Sequence, residues 1–139
     1  MGRLPPEPLP PGGPGPHLPG RLRRASGGRR DQLLGRPALG RLGEDLACRF
    51  LASHGLQVVA TNVRVGRGEI DILALDHGVR VAVEVRTSRG REDPVDAADP
   101  GKRRRASRLA WQAGARRFDV IGVGVGDGVV EFHWVPGVF

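Results

Sequence analysis

Residues Gly66 to Arg89, GRGEIDILALDHGVRVAVEVRTSR, contain two apolar runs that carry three carboxylates at positions where packing asks for none. In the first run Glu69 and Asp71 stand two apart, and in the second Glu84 and Arg86 stand two apart. Side chains two apart on a strand share a face, so each pair is expected on one side of its own strand. Asp76-His77-Gly78 separates the runs with a turn signal, which predicts that they fold back on each other as a hairpin. Val79, Val81, Val83 and Val85 then take one face, and Arg80, Ala82, Glu84 and Arg86 the other.

The charged face admits two readings. In one, the hairpin lies at a sheet edge and its solvated face carries ordinary acids balanced by Arg80 and Arg86. In the other, the register brings Asp71 and Glu84 together, and two close carboxylates need a cation or a basic group to neutralise them. Two carboxylates with a nearby backbone carbonyl form a hard oxygen site suited to Mg²⁺ or Mn²⁺.

An ordered set of residues extends beyond the hairpin: Gly43-Glu44 with Ala47, Asn62, Arg64, Gly68-Glu69-Ile70-Asp71, Val83-Glu84-Val85, Lys102 and Arg117-Phe118-Asp119-Val120. Together they resemble the YraN-like uncharacterised family, from about Leu39 to the C-terminus. That family is assigned to the restriction-endonuclease-like superfamily and is similar to archaeal Holliday-junction resolvases. The resemblance implies a restriction-endonuclease-like core. It also implies that Asp71 and Glu84 are metal-binding carboxylates, with the Val85 carbonyl as a further metal ligand and Glu44 as a helix acid reaching the same site. Glu69 belongs to the motif without an assigned role. The implied partner is nucleic acid, DNA above all, and the implied cofactor is Mg²⁺ or Mn²⁺.

One position departs from the superfamily pattern, which has lysine where this chain has Arg86. A lysine can lose its proton and position an attacking water, whereas arginine stays charged and cannot act as a base. Arg86 retains the capacity to hold a phosphate oxygen. Of 22 basic residues only Lys102 is a lysine, so the change also fits a chain-wide preference for arginine. Two functions follow as expectations: a divalent-metal phosphodiester endonuclease acting with arginine, or a non-catalytic nucleic-acid-binding or scaffold module.

The 139 residues suit one folded domain. The net charge of +7 points to a polyanionic partner, but residues 1–40 hold seven arginines against Glu7 and Asp31. The remainder carries only +2, so attraction must come from local clusters. Nine of the twelve prolines also fall in residues 1–37. Residues 1–38 are therefore expected to be a disordered Pro/Gly/Arg-rich tail, with residues 39–139 as the endonuclease-like domain. The tail's basic cluster, Arg21 to Arg30, is expected to be a solvated linker. No apolar run has signal-peptide or membrane length, and Cys48 is the sole cysteine; a cytoplasmic protein without disulfides or membrane partners is expected.

Leu39 to His54 reads as an amphipathic helix with Leu39, Leu42, Leu46 and Phe50 on one stripe, stopped by Gly55. Leu56 to Arg64 reads as a strand. The stretch TSRGREDPVDAADP reads as a connecting loop, and Asp99-Pro100 as the start of a second helix running to about Gly114. Its early turns carry Lys102, Arg103, Arg104 and Arg105, the leading candidates for phosphate contact, followed by Arg108. Arg117–Val125 and Val129–Val135 form a final hairpin around Gly126-Asp127-Gly128. The expected architecture is α/β, in the order α-β-β-β-α-β-β. The helical crossover makes the third and fourth strands parallel, so the sheet is mixed. No zinc spacing, nucleophilic triad or phosphate-binding glycine loop is present in the sequence.

Overall fold

The computed structural model describes residues 18–23, 35–90 and 100–138, of which the side chains of 18–23, Pro100, Lys102 and Arg103 are outside the description. The elements run β1 (Leu18–Arg23), α1 (Arg36–Ser53), β2 (Gln57–Val65), β3 (Gly68–Asp76), β4 (Val79–Arg89), α2 (Pro100–Gln112), β5 (Arg117–Gly126) and β6 (Val129–Val135). They build a mixed sheet in the order β1-β6-β5-β4-β3-β2. β4 and β5 are parallel, as the helical crossover requires, and the other neighbours are antiparallel.

β1 is a strand within the stretch expected to be tail. It pairs antiparallel along β6 and sits at the sheet edge. α1 starts at Arg36, three residues before the start read from its apolar stripe. The rest of residues 1–34, the acidic loop from Glu92 to Asp99 and the Asp99 cap lie outside the described residues.

One face of the sheet is covered by α1. Leu39, Leu46, Ala47, Phe50 and Leu51 pack there on Ile72, Ala74, Val81, Val83, Ile121, Val123 and Phe132. Phe50 and Phe132 stack with ring centroids 4.5 Å apart. α1 ends as expected, with Gly55 in the left-handed region at φ 87°. The other face is covered by α2, whose Ala110 packs with Ile70, Ala82, Phe118 and Val120 while Ala106 and Leu109 flank them. β4 is therefore an interior strand covered on both sides. This corrects the edge-hairpin reading: Ala82 is fully buried, and Glu84 and Arg86 are only partly exposed.

The hairpin register pairs Ile72 with Val83 and Asp76 with Val79, and the β3–β4 ladder stops at Ile72. Beyond that point β3 changes phase. Ile72 and Ala74 face α1, whereas Ile70 packs on the α2 side and a Cβ on Gly68 would run into Leu109 of α2. β2 turns with it, because Asn62, between Thr61 opposite Ile72 and Val63 opposite Ile70, has φ 52°. Asparagine tolerates this left-handed conformation far better than a branched residue does. β3 and β4 thus fork at Asp71.

At the opposite end of β3 a buried polar network closes the sheet. Asp119 on β5 has no solvent exposure and accepts four hydrogen bonds: from Arg117 Nε and Nη2, Trp134 Nε1 and the Gly137 N–H, at 2.9 to 3.0 Å. Arg117 Nη1 donates to Asp76 Oδ2 at 2.7 Å, tying β5 to the hairpin turn. Burial alone would raise Asp76, but hydrogen bonds from Arg117 and His77 outweigh it and hold the carboxyl below its ordinary value. A buried carboxylate with every partner in place is a structural anchor.

Candidate functional site

The fork leaves the N–H of Val85 without a strand partner from β3. The Asp71 side chain takes that place: Val85 N–H donates to Asp71 Oδ2 at 2.8 Å. Asp71 reaches both sides of the sheet. On the α1 side it lines a cleft of about 550 Å³ together with Glu44, Val85, Thr87 and Arg89. On the α2 side it lines a smaller cavity of about 80 Å³ with Glu69, Val83, Glu84 and Ala106. Burial pushes its carboxyl up to about 6. The Val85 hydrogen bond opposes this, and the charges of Glu44, Glu84 and Glu69 add to it.

Glu44 lies on the α1 wall of the cleft. With its amide nitrogen turned toward the acids, Asn62 donates to Glu44 Oε2 at 3.1 Å and to Glu69 Oε1 at 3.0 Å. Burial and the Glu69 charge raise the Glu44 carboxyl, and the Asn62 bond partly offsets them. Glu69, which had no role from sequence, is thus the second acid held by Asn62. The phase change at Asp71 puts Glu69 in contact with Glu44 through Asn62, while Glu69 still shares the small cavity with Asp71. Asn62 could have been singled out only by the motif, since no periodicity marks a left-handed residue within a strand.

Glu84 and Arg86 share the face turned toward α2. Arg86 Nη2 lies 2.9 Å from Glu84 Oε1, an ion pair by distance. Its alignment is poor enough that Arg86 Nε and Nη2 count as buried donors without hydrogen bonds, and Glu84 Oε2 is a buried acceptor without one. Buried atoms of two partly exposed, oppositely charged side chains are thus left with unused hydrogen-bonding capacity, and Glu84 shares a cavity with Asp71. Among the described residues no three His, Cys, Asp or Glu side chains converge to hold a metal ion by themselves. Asp71 and Glu84 share the small cavity, whereas Glu44 is on the cleft side and meets Asp71 there.

The basic positions of α2 lie on the layer opposite α1. Arg104, Arg105 and Arg108 are exposed, and the side chains of Lys102 and Arg103 are outside the description. Trp111 on the same helix is 60% exposed, with the Arg116 guanidinium 5.4 Å from its ring centre. Cys48 is half-buried against the α1 core and burial raises its thiol, which does not fit a reactive nucleophile. No described helix is long and apolar enough to cross a membrane.

Comparison with known sequences covers this same set of elements. The pattern of the family described as "Uncharacterised protein family UPF0102" matches residues 43–123. A UPF0102 protein of Symbiobacterium thermophilum is 41% identical over 112 residues, covering 73% of this chain and 95% of that protein. A UPF0102 protein of Streptomyces griseus is 46% identical over 99 residues, covering 63% of this chain and 83% of its own length. A third, from Oleidesulfovibrio alaskensis, is 48% identical over 75 residues, which are 52% of this chain and only 37% of that longer relative. The matched span contains Glu44, the β3–β4 fork and Asp119, and by this span and these identities the chain belongs to the UPF0102 family.

Proposed function

We propose that the protein is a nucleic-acid-associated protein with a nuclease-type divalent-metal site at the β3–β4 fork, acting on phosphodiester bonds of DNA. The observation that carries the reading is the state of Asp71. Burial, with the added charges of Glu44, Glu84 and Glu69, pushes its carboxyl up to about 6, and a bound cation would hold it ionised. The donor chemistry fits Mg²⁺ or Mn²⁺. Asp71 and Glu84 offer hard oxygens to one cavity, Glu84 Oε2 is buried without a partner, and Mg²⁺ commonly takes one or two carboxylates and completes its shell with water and phosphate.

Asp71 and Glu84 would hold the metal, with the Val85 carbonyl as a further ligand and Glu44 acting from the cleft side. A metal bound there supplies a lowered pKa for a coordinated water and charge stabilisation at the phosphate. The chain's own residues do the rest. The Val85 N–H fixes the Asp71 carboxylate, Asn62 fixes Glu44, and Arg86 turns unused donors toward Glu84, where a phosphate oxygen would compete for them. The exposed arginines of α2, with Lys102 and Arg103 in its first turn, supply the positive surface for the nucleic-acid backbone. The resemblance to restriction-endonuclease-like proteins and archaeal resolvases supports the same class, and the reaction belongs in the cytoplasm.

One observation favours a second reading, a binding module without turnover. Arg86 already lies against Glu84, and as an arginine it cannot take up a proton from water. Cleavage of labelled branched, duplex and single-stranded DNA by the full chain with Mg²⁺ or Mn²⁺ separates the two. Cutting by the wild type that vanishes in Asp71→Ala supports the nuclease. DNA binding without cutting in either protein leaves the binding module. Cutting gained only in Arg86→Lys identifies that position as the one that disarmed the site.

A further inference from the structure

The cleft between α1 and β4 extends well beyond the carboxylates. Arg36, Gly40 and Glu44 follow each other at intervals of four, so they form one stripe of α1, and all three line the cleft. The facing wall is β4, where Val85, Thr87 and Arg89 line it. Each wall thus runs from an acidic end, at Glu44 and Asp71, to an arginine end. Arg36 lies roughly 12 Å along the helix from Glu44, and Arg89 lies roughly 13 Å along the strand from Val85. The two arginines therefore stand on opposite walls of the cleft.

Gly40 sits midway along this track. A Cβ there would meet nothing within 4 Å, and its backbone has no left-handed torsion, so the fold does not require glycine. Its neighbour Gly43 is different, because a Cβ at that position would run into the Thr87 side chain. A glycine inside a helix costs about 0.5–1 kcal/mol relative to alanine. At Gly40 that cost leaves bare helix backbone on the wall of a cavity flanked by two arginines. A space of about 550 Å³ is of the size that encloses small ligands, and a duplex is too wide to enter it. One extended strand with a phosphate for each arginine fork fits both its size and its charge.

We propose that the cleft is a track for a single unpaired nucleic-acid strand. Arg36 and Arg89 each grip a backbone phosphate at the end remote from Asp71, and Gly40 makes room for the sugar and base between. This rests on the reading of the protein as nucleic-acid-associated and adds the class of substrate its site takes. Where that site acts on DNA, it acts beside an unpaired end, flap or gap.

The test is equilibrium binding of the full chain in EDTA to a labelled oligothymidine strand and to a duplex of the same length, over a salt series. The variants are Arg36→Gln, Arg89→Gln and Gly40→Leu, with Arg49→Gln as the same charge change on the exposed face of α1. The wild type is expected to prefer the strand. Arg36→Gln and Arg89→Gln should each flatten the salt slope by about 0.7. Gly40→Leu, melting close to wild type, should weaken strand binding about tenfold, a loss of about 1.4 kcal/mol. Arg49→Gln should bind the strand as wild type does. Equal affinity for duplex and strand, or undiminished binding by folded Gly40→Leu and Arg89→Gln, overturns the proposal, as does the absence of any binding. Asp71-dependent cleavage with these variants unaffected would sink the track and leave the nuclease. The predicted binding pattern without cleavage would keep the track and sink catalysis.

Discussion

The backbone N–H of Val85 donates to Asp71 Oδ2 at 2.8 Å, so a side chain of β3 stands in for the ladder bond that β3 no longer makes with β4. Asp71 therefore holds the strands together at the point where they part, and it does so as a carboxyl that burial and like charges push up to about 6. The two roles conflict in one residue. Asp71→Asn keeps an oxygen for Val85 and removes the unfavourable charge, and it is expected to stabilise the fold at pH 7.5 by about 1–3 kcal/mol. Asp71→Ala removes the acceptor as well, leaves the Val85 N–H unmatched and forgoes that gain. Urea denaturation of the three proteins orders them, and an Asn variant less stable than wild type would remove the charge conflict from the account.

The same conflict fixes a pH dependence. Native Asp71 keeps its proton up to about pH 6, while the unfolded chain loses it near 3.8, so in that window the native state binds more protons. Stability is therefore greatest below the unfolded value, falls as pH rises toward 6, and levels off above it, by at most about 3 kcal/mol. Glu44, also raised, adds in the same direction. Asp76 is lowered and works oppositely: its stabilisation is present above pH 3.8 and is lost only as pH falls through its folded value. Melting temperature between pH 4.5 and 7.5 should decline in wild type and decline less in Asp71→Asn. Mg²⁺ should raise it more at pH 7.5 than at pH 5, because ligand must be deprotonated to bind.

The sequence made the elements legible and left the fork hidden. Alternating valines in β4 and the stripe of Leu39, Leu46 and Phe50 are apolar patterns, and burial follows such patterns directly. The parallel β4–β5 pair follows from the helical crossover between them. Alternation presumes an unbroken ladder, however, and it places Glu69 and Asp71 on one face. The left-handed Asn62 and the end of the ladder at Ile72 break that phase, so Glu69 joins Glu44 and Asp71 stands between two cavities. Nor does local spacing reveal that Asp119 meets Trp134 and the Gly137 N–H, which depends on how the last strand and its tail return across β5.

That return makes Asp119 the most expensive acid to remove. Asp119→Ala leaves Arg117 Nε and Nη2, Trp134 Nε1 and the Gly137 N–H without their acceptor, and is expected to cost about 3–5 kcal/mol. Arg117→Ala should cost a comparable amount, since it leaves a fully buried carboxylate short of its cation. The double variant should be much less destabilised than the sum, because each single change exposes the other's unpaired charge. A double-mutant cycle by denaturant unfolding measures this coupling, and additive costs would mean that Trp134 and Gly137 alone hold Asp119.

Two glycines one turn apart on α1 separate packing from function. Gly43 lies where the helix comes closest to β4, and an added Cβ would overlap the Thr87 side chain, whose short branched form cannot swing far. Gly43→Ala must push α1 off the strand and is expected to destabilise by about 1–3 kcal/mol despite the better helix propensity of alanine. Gly40→Ala meets open space and should gain about 0.5–1 kcal/mol from propensity alone. Shifting α1 also moves Glu44, on the same helix one residue beyond Gly43, away from Asp71. Gly43→Ala should therefore lower the affinity for Mn²⁺ even where the protein remains folded, whereas Gly43→Ala paired with Thr87→Ala, which removes the overlapping hydroxyl and methyl, should recover part of both losses. Melting curves and Mn²⁺ titrations on the single and paired variants decide this: stability that recovers without any change in Mn²⁺ affinity would show that the position of α1 does not set the metal site.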